Sequence, residues 1–144
     1  MQSIITNSAA ETEKFAQELA GKLKGNDVLA FFGGLGMGKT TFVRGLARGL
    51  GSSDEVSSPT FALVPEYRST PKLYHFDMYR ITGEDDLFSI GFYDYSNAVL
   101  AIEWSEKIPY ALPRIYWKVS FLSEGENDRK IEIEFIDSQN QEKL

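Results

Sequence analysis

The sequence has no cysteine, which excludes disulfides, thiolate-bound zinc, iron–sulfur clusters and a cysteine nucleophile. It has one histidine, His75, too few for a His-rich metal site. No apolar run approaches the length of a membrane span, and the opening MQSIITNSAAETEKF has neither the apolar core nor the basic leader of a targeting segment. A soluble cytoplasmic protein with no membrane partner is expected. Positive charge is scarce: 15 Lys plus Arg against 21 Asp plus Glu leave a net charge of -6, which opposes nonspecific attraction to a polyanion such as RNA or DNA. Low-complexity tracts and repeats of solenoid period are lacking as well. What is present is 42% hydrophobic and 13% aromatic residues over 144 positions, enough to bury the core of one compact domain, 1–144, with no room for a second.

Ser8 with Glu11 three residues later reads as a capping box, and Phe15, Leu19 and Leu23 recur at every fourth position, predicting a helix over 9–23 that closes near Gly25. VLAFF, 28–32, is short and continuously apolar, as a strand covered on both faces should be. Phe42, Val43, Leu46, Ala47 and Leu50 keep helical spacing over 39–50, and Gly51 stands where a stop belongs. FALVPEY and KLYHFDMY predict two strands joined around 69–71, with Pro65 marking an edge or a bulge. Thr82 and Asp85 are candidate caps for a short helix through Ile90, whereas GFYDYS has no clear period. AVLAIE, 98–103, predicts a buried strand ending in an acid, and WSEKI a short helix after it. IYWKVSFL and RKIEIEFI alternate across SEGEND, predicting a C-terminal β-hairpin. An α/β fold follows, with a mixed central β-sheet flanked by helices.

The chemistry is concentrated in GGLGMGKTT. Gly33, four residues, then Gly38, Lys39 and Thr40 complete the Walker A pattern between a strand and a helix, which makes the fold class a single-domain P-loop NTPase. Glycines let the backbone curl so that N–H groups point at phosphate oxygens, and the following helix adds its positive dipole end. Gly33, Leu35, Gly36, Met37, Gly38, Lys39, Thr40 and Thr41 are therefore candidate contacts to ATP. Lys39 can neutralise charge between the β- and γ-phosphates, and the Thr40 hydroxyl can ligate Mg2+.

Hydrolysis needs an acid for magnesium and a group that orients water. Asp77 and Glu103 both qualify, each at the end of an apolar strand, where parallel strands place their carboxyl ends beside a phosphate loop; either also reads as a solvated strand end or a helix N-cap. VSSPTF places Ser58 and Thr60 around a proline in a polar loop, a turn or a nucleotide-sensing switch. His75 lies one strand period before Asp77, either orienting that acid or packed in the core. Trp104, Trp117, Tyr93 and Tyr95 read as core or interface residues.

GGLGMGKTTF, SSPTF, LYHFDMYR and LAIEW, in this order, closely resemble the TsaE (YjeE) family of small bacterial P-loop ATPases, over essentially the whole chain from Ser8. That family is required, with TsaB and TsaD, for making threonylcarbamoyladenosine beside the anticodon of certain tRNAs. The resemblance implies an ATPase step rather than the transferase chemistry, with TsaB and TsaD type proteins as partners and tRNA met only through the complex. It implies that Thr40 and Glu103 hold magnesium, that 36–41 wrap the phosphates, and that Thr60 belongs to a switch-like loop. Asp77 then positions water or supports the metal shell. The base would lie near Ser8, Ala9 and Thr12, with Arg129 a further contact. Gly34 and Ser105 depart from the Asp and Pro that the family often has there.

Two other functions use the same loop. A small-molecule kinase would pass phosphate to an acceptor, but no arginine-rich lid follows the P-loop helix. A nonhydrolytic, nucleotide-gated binding protein needs nothing more than the loop itself.

Overall fold

In the computed structural model, residues 2–33, 38–54, 64–123 and 128–137 are described. The strands are β1 (Gln2–Thr6), β2 (Val28–Gly33), β3 (Glu66–Tyr67), β4 (Lys72–Asp77), β5 (Ala98–Glu103), β6 (Ile115–Ser123) and β7 (Arg129–Asp137). The helices are α1 (Ala9–Ala20), α2 (Lys39–Gly49) and α3 (Glu84–Ser89). One sheet takes the order β1-β7-β6-β2-β5-β4-β3. Its centre, β6-β2-β5-β4, is parallel and both margins are antiparallel, so the sheet is mixed as expected, and β6–β7 is the C-terminal hairpin.

Local chemistry explains most boundaries. The Ser8 side chain accepts from the Glu11 N–H at 3.2 Å, while Glu11 reaches back to the Asn7 N–H at 2.6 Å, one residue short of a reciprocal capping box. α1 stops at Ala20, not Leu23, because the amides of Lys22 and Leu23 bond to carbonyls three residues back, tightening the last turn. At the end of α2 the Gly51 N–H bonds to Arg48 and the Ser52 N–H to Ala47, the paired bonds of a Schellman stop. The FALVPEY strand is reduced to Glu66–Tyr67 among the described residues. It forms the sheet margin, and Pro65 accepts from the His75 N–H through its carbonyl at 3.1 Å. GFYDYS and WSEKI become 3₁₀ turns at Phe92–Asp94 and Ser105–Lys107. β1 has no counterpart in the sequence expectations; it exists through its pairing with β7.

α1 and α2 cover one face of the sheet over Leu29, Phe31, Leu73, Val99, Ala101, Val119 and Phe121. They approach closely at Gly45, where a Cβ would overlap the Glu13 carbonyl and sit 2.7 Å from Ala16 Cβ. The opposite face of β4 and β5 packs Phe76, Leu100 and Ile102 against Leu87, Phe92 and Ile108.

Candidate functional site

β2 ends at Gly33 and α2 begins at Lys39, so the Walker A segment joins a central parallel strand to a helix start. Gly34, Leu35, Gly36 and Met37 lie outside the described residues, as do Ser58 and Thr60. Gly38 is the N-cap of α2 in the left-handed region (φ 91), contributes no capping side chain, and has open space where a Cβ would be. Among the described residues, that leaves the helix start, positive by its dipole, without a side chain capping it. Lys39, Thr40 and Thr41 form the first turn. Lys39 is only 1% exposed; its Nζ donates to the Gly33 carbonyl at 2.9 Å and stands 5.0 Å from the centroid of the Trp104 ring.

The two acids meet at adjacent strand ends. β4 and β5 pair in parallel with Asp77 opposite Glu103, and strand alternation turns both towards the face that α1 and α2 cover. Glu103 Oε2 lies 2.6 Å from Nε2 of the fully buried His75, and its side chain is 13% exposed. His75 Nδ1 has no partner among the described residues. A proton there would be buried unbonded, so the favoured tautomer carries it on Nε2 and donates to Glu103. The sequence set His75 beside Asp77, as its orienter or as a core residue. The structure gives it Glu103 instead, because Asp77 is turned to the Tyr79 N–H at 2.9 Å.

The sequence also undervalued Trp104 and overlooked Glu106. Trp104 takes a positive φ of 59, rare for a bulky residue and a common mark of functional sites, and its ring also packs 4.9 Å from Tyr79. Glu106 Oε2 accepts from the Gly33 N–H at 3.4 Å. The only hint was an aromatic and an acid directly after a strand ending in Glu. Ser105 is buried, and its hydroxyl donates to the Ile102 carbonyl at 2.8 Å, closing the turn that carries Trp104.

Far along the chain but near in space, Ser8, Ala9, Thr12, Gly38, Thr41 and Arg129 line one cavity of about 170 Å3. Arg129 reaches it because β7 pairs with β1, setting Arg129 opposite Thr6. Thr12 is fixed there by a 2.6 Å hydroxyl contact with Thr6.

Among the described residues, no group of three or more His, Asp or Glu could hold a metal by itself. Thr40 and Glu103 supply hard oxygen donors only, a set that fits magnesium, which takes one or two protein oxygens and completes its shell with phosphate and water. The His75 contact fixes the carboxylate in the way metal-binding acids are commonly supported. Outside this centre, the Arg68 guanidinium and N–H hold the Asp54 carboxyl at about 2, below its ordinary 3.8. This pair joins the chain just beyond α2 to the residue that follows β3.

Residues 6–131 match the family described as threonylcarbamoyl adenosine biosynthesis protein TsaE. The tRNA threonylcarbamoyladenosine biosynthesis protein TsaE of Treponema pallidum is 35% identical over 131 residues, covering 90% of this chain and 97% of the relative. Its Bacillus subtilis counterpart is 36% identical, over 88% and 80%, and that of Aquifex aeolicus 42%, over 74% and 79%. The crystal structure of Bacillus subtilis YdiB superposes with a TM-score of 0.74 at 30% identity, covering 99% of this chain and 89% of that one. With a Walker A segment between a central strand and a helix of a mixed sheet and a family match across most of its length, this chain is a P-loop NTPase fold belonging to the TsaE family of tRNA threonylcarbamoyladenosine biosynthesis.

Proposed function

We propose that residues 1–144 act as one magnesium-dependent ATPase domain of the cytoplasmic threonylcarbamoyladenosine system, working with TsaB and TsaD type proteins and meeting tRNA only through that complex. The observation that carries this is the convergence of a buried Lys39, the open start of α2 and the paired strand-end acids Asp77 and Glu103 on one side of the sheet. In this reading the loop from Gly33 to Thr41, including Leu35, Gly36 and Met37, donates N–H groups to the phosphates. Lys39 leaves the Gly33 carbonyl to meet the β- and γ-phosphate oxygens, an exchange of one buried hydrogen bond for stronger charge-assisted ones. The base lies in the cavity at Ser8, Ala9, Thr12 and Arg129. Thr40 and Glu103 would hold magnesium, which when bound neutralises charge on the phosphate oxygens. His75 keeps Glu103 aimed, Asp77 positions the attacking water, and Thr60 senses the γ-phosphate.

The test is ATP turnover by the purified chain, alone and with its TsaB and TsaD type partners, across a magnesium titration. Slow basal hydrolysis, acceleration by the partners, and a fall of about 100-fold or more in both Lys39→Ala and Glu103→Ala are expected. Wild-type turnover in both variants would remove the site assignment; phosphate transfer to a small acceptor instead of water would replace the function with a kinase.

A further inference from the structure

The two margins of the sheet are finished differently. Among the described residues the β3 margin is two residues long and follows Pro65, both devices that discourage strand addition. The β1 margin presents five residues with no proline and no charge. It pairs only on its β7 side among the described residues, and leaves Ile5 54% exposed. Such an edge offers a row of N–H and C=O groups that another strand completes.

α1 runs beside β1 in the opposite direction. One hollow of about 280 Å3 joins Ile4 and Thr6 to Glu11, Lys14 and Glu18, and a second of about 140 Å3 joins Gln2 to Glu18 and Lys22. The exposed charges along this rim therefore alternate: Glu11, Lys14, Glu18, Lys22. Glu11 is engaged by the Asn7 N–H. The other three enter no ion pair among the described residues, although 14 and 18 have the spacing at which pairs form along a helix and Lys22 follows in the turn after α1.

We propose that this edge and rim are a homodimer interface, formed by antiparallel pairing of β1 with β1 of a second copy about a two-fold axis at Ile4. The axis sets Gln2 opposite Thr6 and Ser3 opposite Ile5, so no like charges meet on the strands. It also runs the two α1 helices antiparallel. Glu11 then faces Lys22 and Lys14 faces Glu18, each twice, both pairs centred near residue 16. The charge order is self-complementary in the antiparallel arrangement that the strands impose. No residue of this rim lines the cavity at Ser8, so the proposal stands apart from the nucleotide reading.

Sedimentation velocity of the full chain from about 5 to about 500 µM tests it, a range suited to a small interface. A reversible monomer–dimer equilibrium is expected. Lys14→Glu and Glu18→Lys each set like charges face to face and should weaken association at least about tenfold at low salt; the double swap K14E/E18K restores complementarity and should recover it to within about threefold. Hydrogen exchange of the β1 amides should slow as the dimer fills. A monomer at every concentration, a dimer indifferent to the single reversals, or a dimer whose β1 amides exchange unchanged would each overturn the proposal.

Discussion

One face of the sheet is covered by two helices of 12 and 11 residues, the opposite face of β4 and β5 by a six-residue helix and short 3₁₀ turns. The helical face carries Lys39, His75, Asp77 and Glu103. Its core includes Phe31, Phe42 and Phe121, whose rings meet edge to face with centroids 5.5 to 5.6 Å apart. The other face also has a buried aromatic cluster, around Phe76, Phe92 and Tyr95, but shorter elements hold it, with Phe88 and Tyr93 left exposed. The lesson is that the side chains needing fixed positions project where regular helices brace them. Trp104 bridges the two, packing with the second core while covering Lys39.

The largest test of this comparison is truncation in each core. Phe42→Ala should cost about 3–5 kcal/mol, since the ring is fully buried between two rigid layers, and Phe92→Ala less, about 2–3 kcal/mol, because its short turn can collapse into the space. Equal losses in urea unfolding would break the contrast. A smaller effect is expected from Gly45→Ala. The added methyl presses on the Glu13 carbonyl and Ala16, and the overpacking should outweigh the better helix propensity by about 1–2 kcal/mol. A stabilised variant would show that the α1–α2 contact is looser than its geometry.

The smallest effect concerns the Asp54–Arg68 pair. The folded carboxyl titrates at about 2 against 3.8 without its partner, so its contribution is complete above pH 3.8 and fades as pH falls towards 2. Arg68 is largely exposed, so solvent screens most of that contribution. Asp54→Asn should slightly lower the unfolding midpoint at pH 6 and leave it unchanged near pH 2. A deficit that persists at pH 2 would assign the effect to lost shape or hydrogen bonding rather than charge.

Windows of neighbouring residues were enough to settle a good deal here. The Ser8 cap, the Gly51 stop, the Walker A spacing and the β6–β7 hairpin all depend on groups a few positions apart, or on alternation along one segment, and these interactions form largely without reference to the rest of the fold. The pairing of β1 with β7 was not legible, because QSIIT carries little signal of its own and its partner lies more than a hundred residues away. The family resemblance groups Arg129 with Ser8, Ala9 and Thr12, but the β1–β7 pairing that brings it to their cavity, and the placement of Trp104 over Lys39, belong to the tertiary structure alone. His75 went to Glu103 rather than Asp77 because the β4–β5 register and the Tyr79 amide, not distance along the strand, decide which carboxylate is free to meet it.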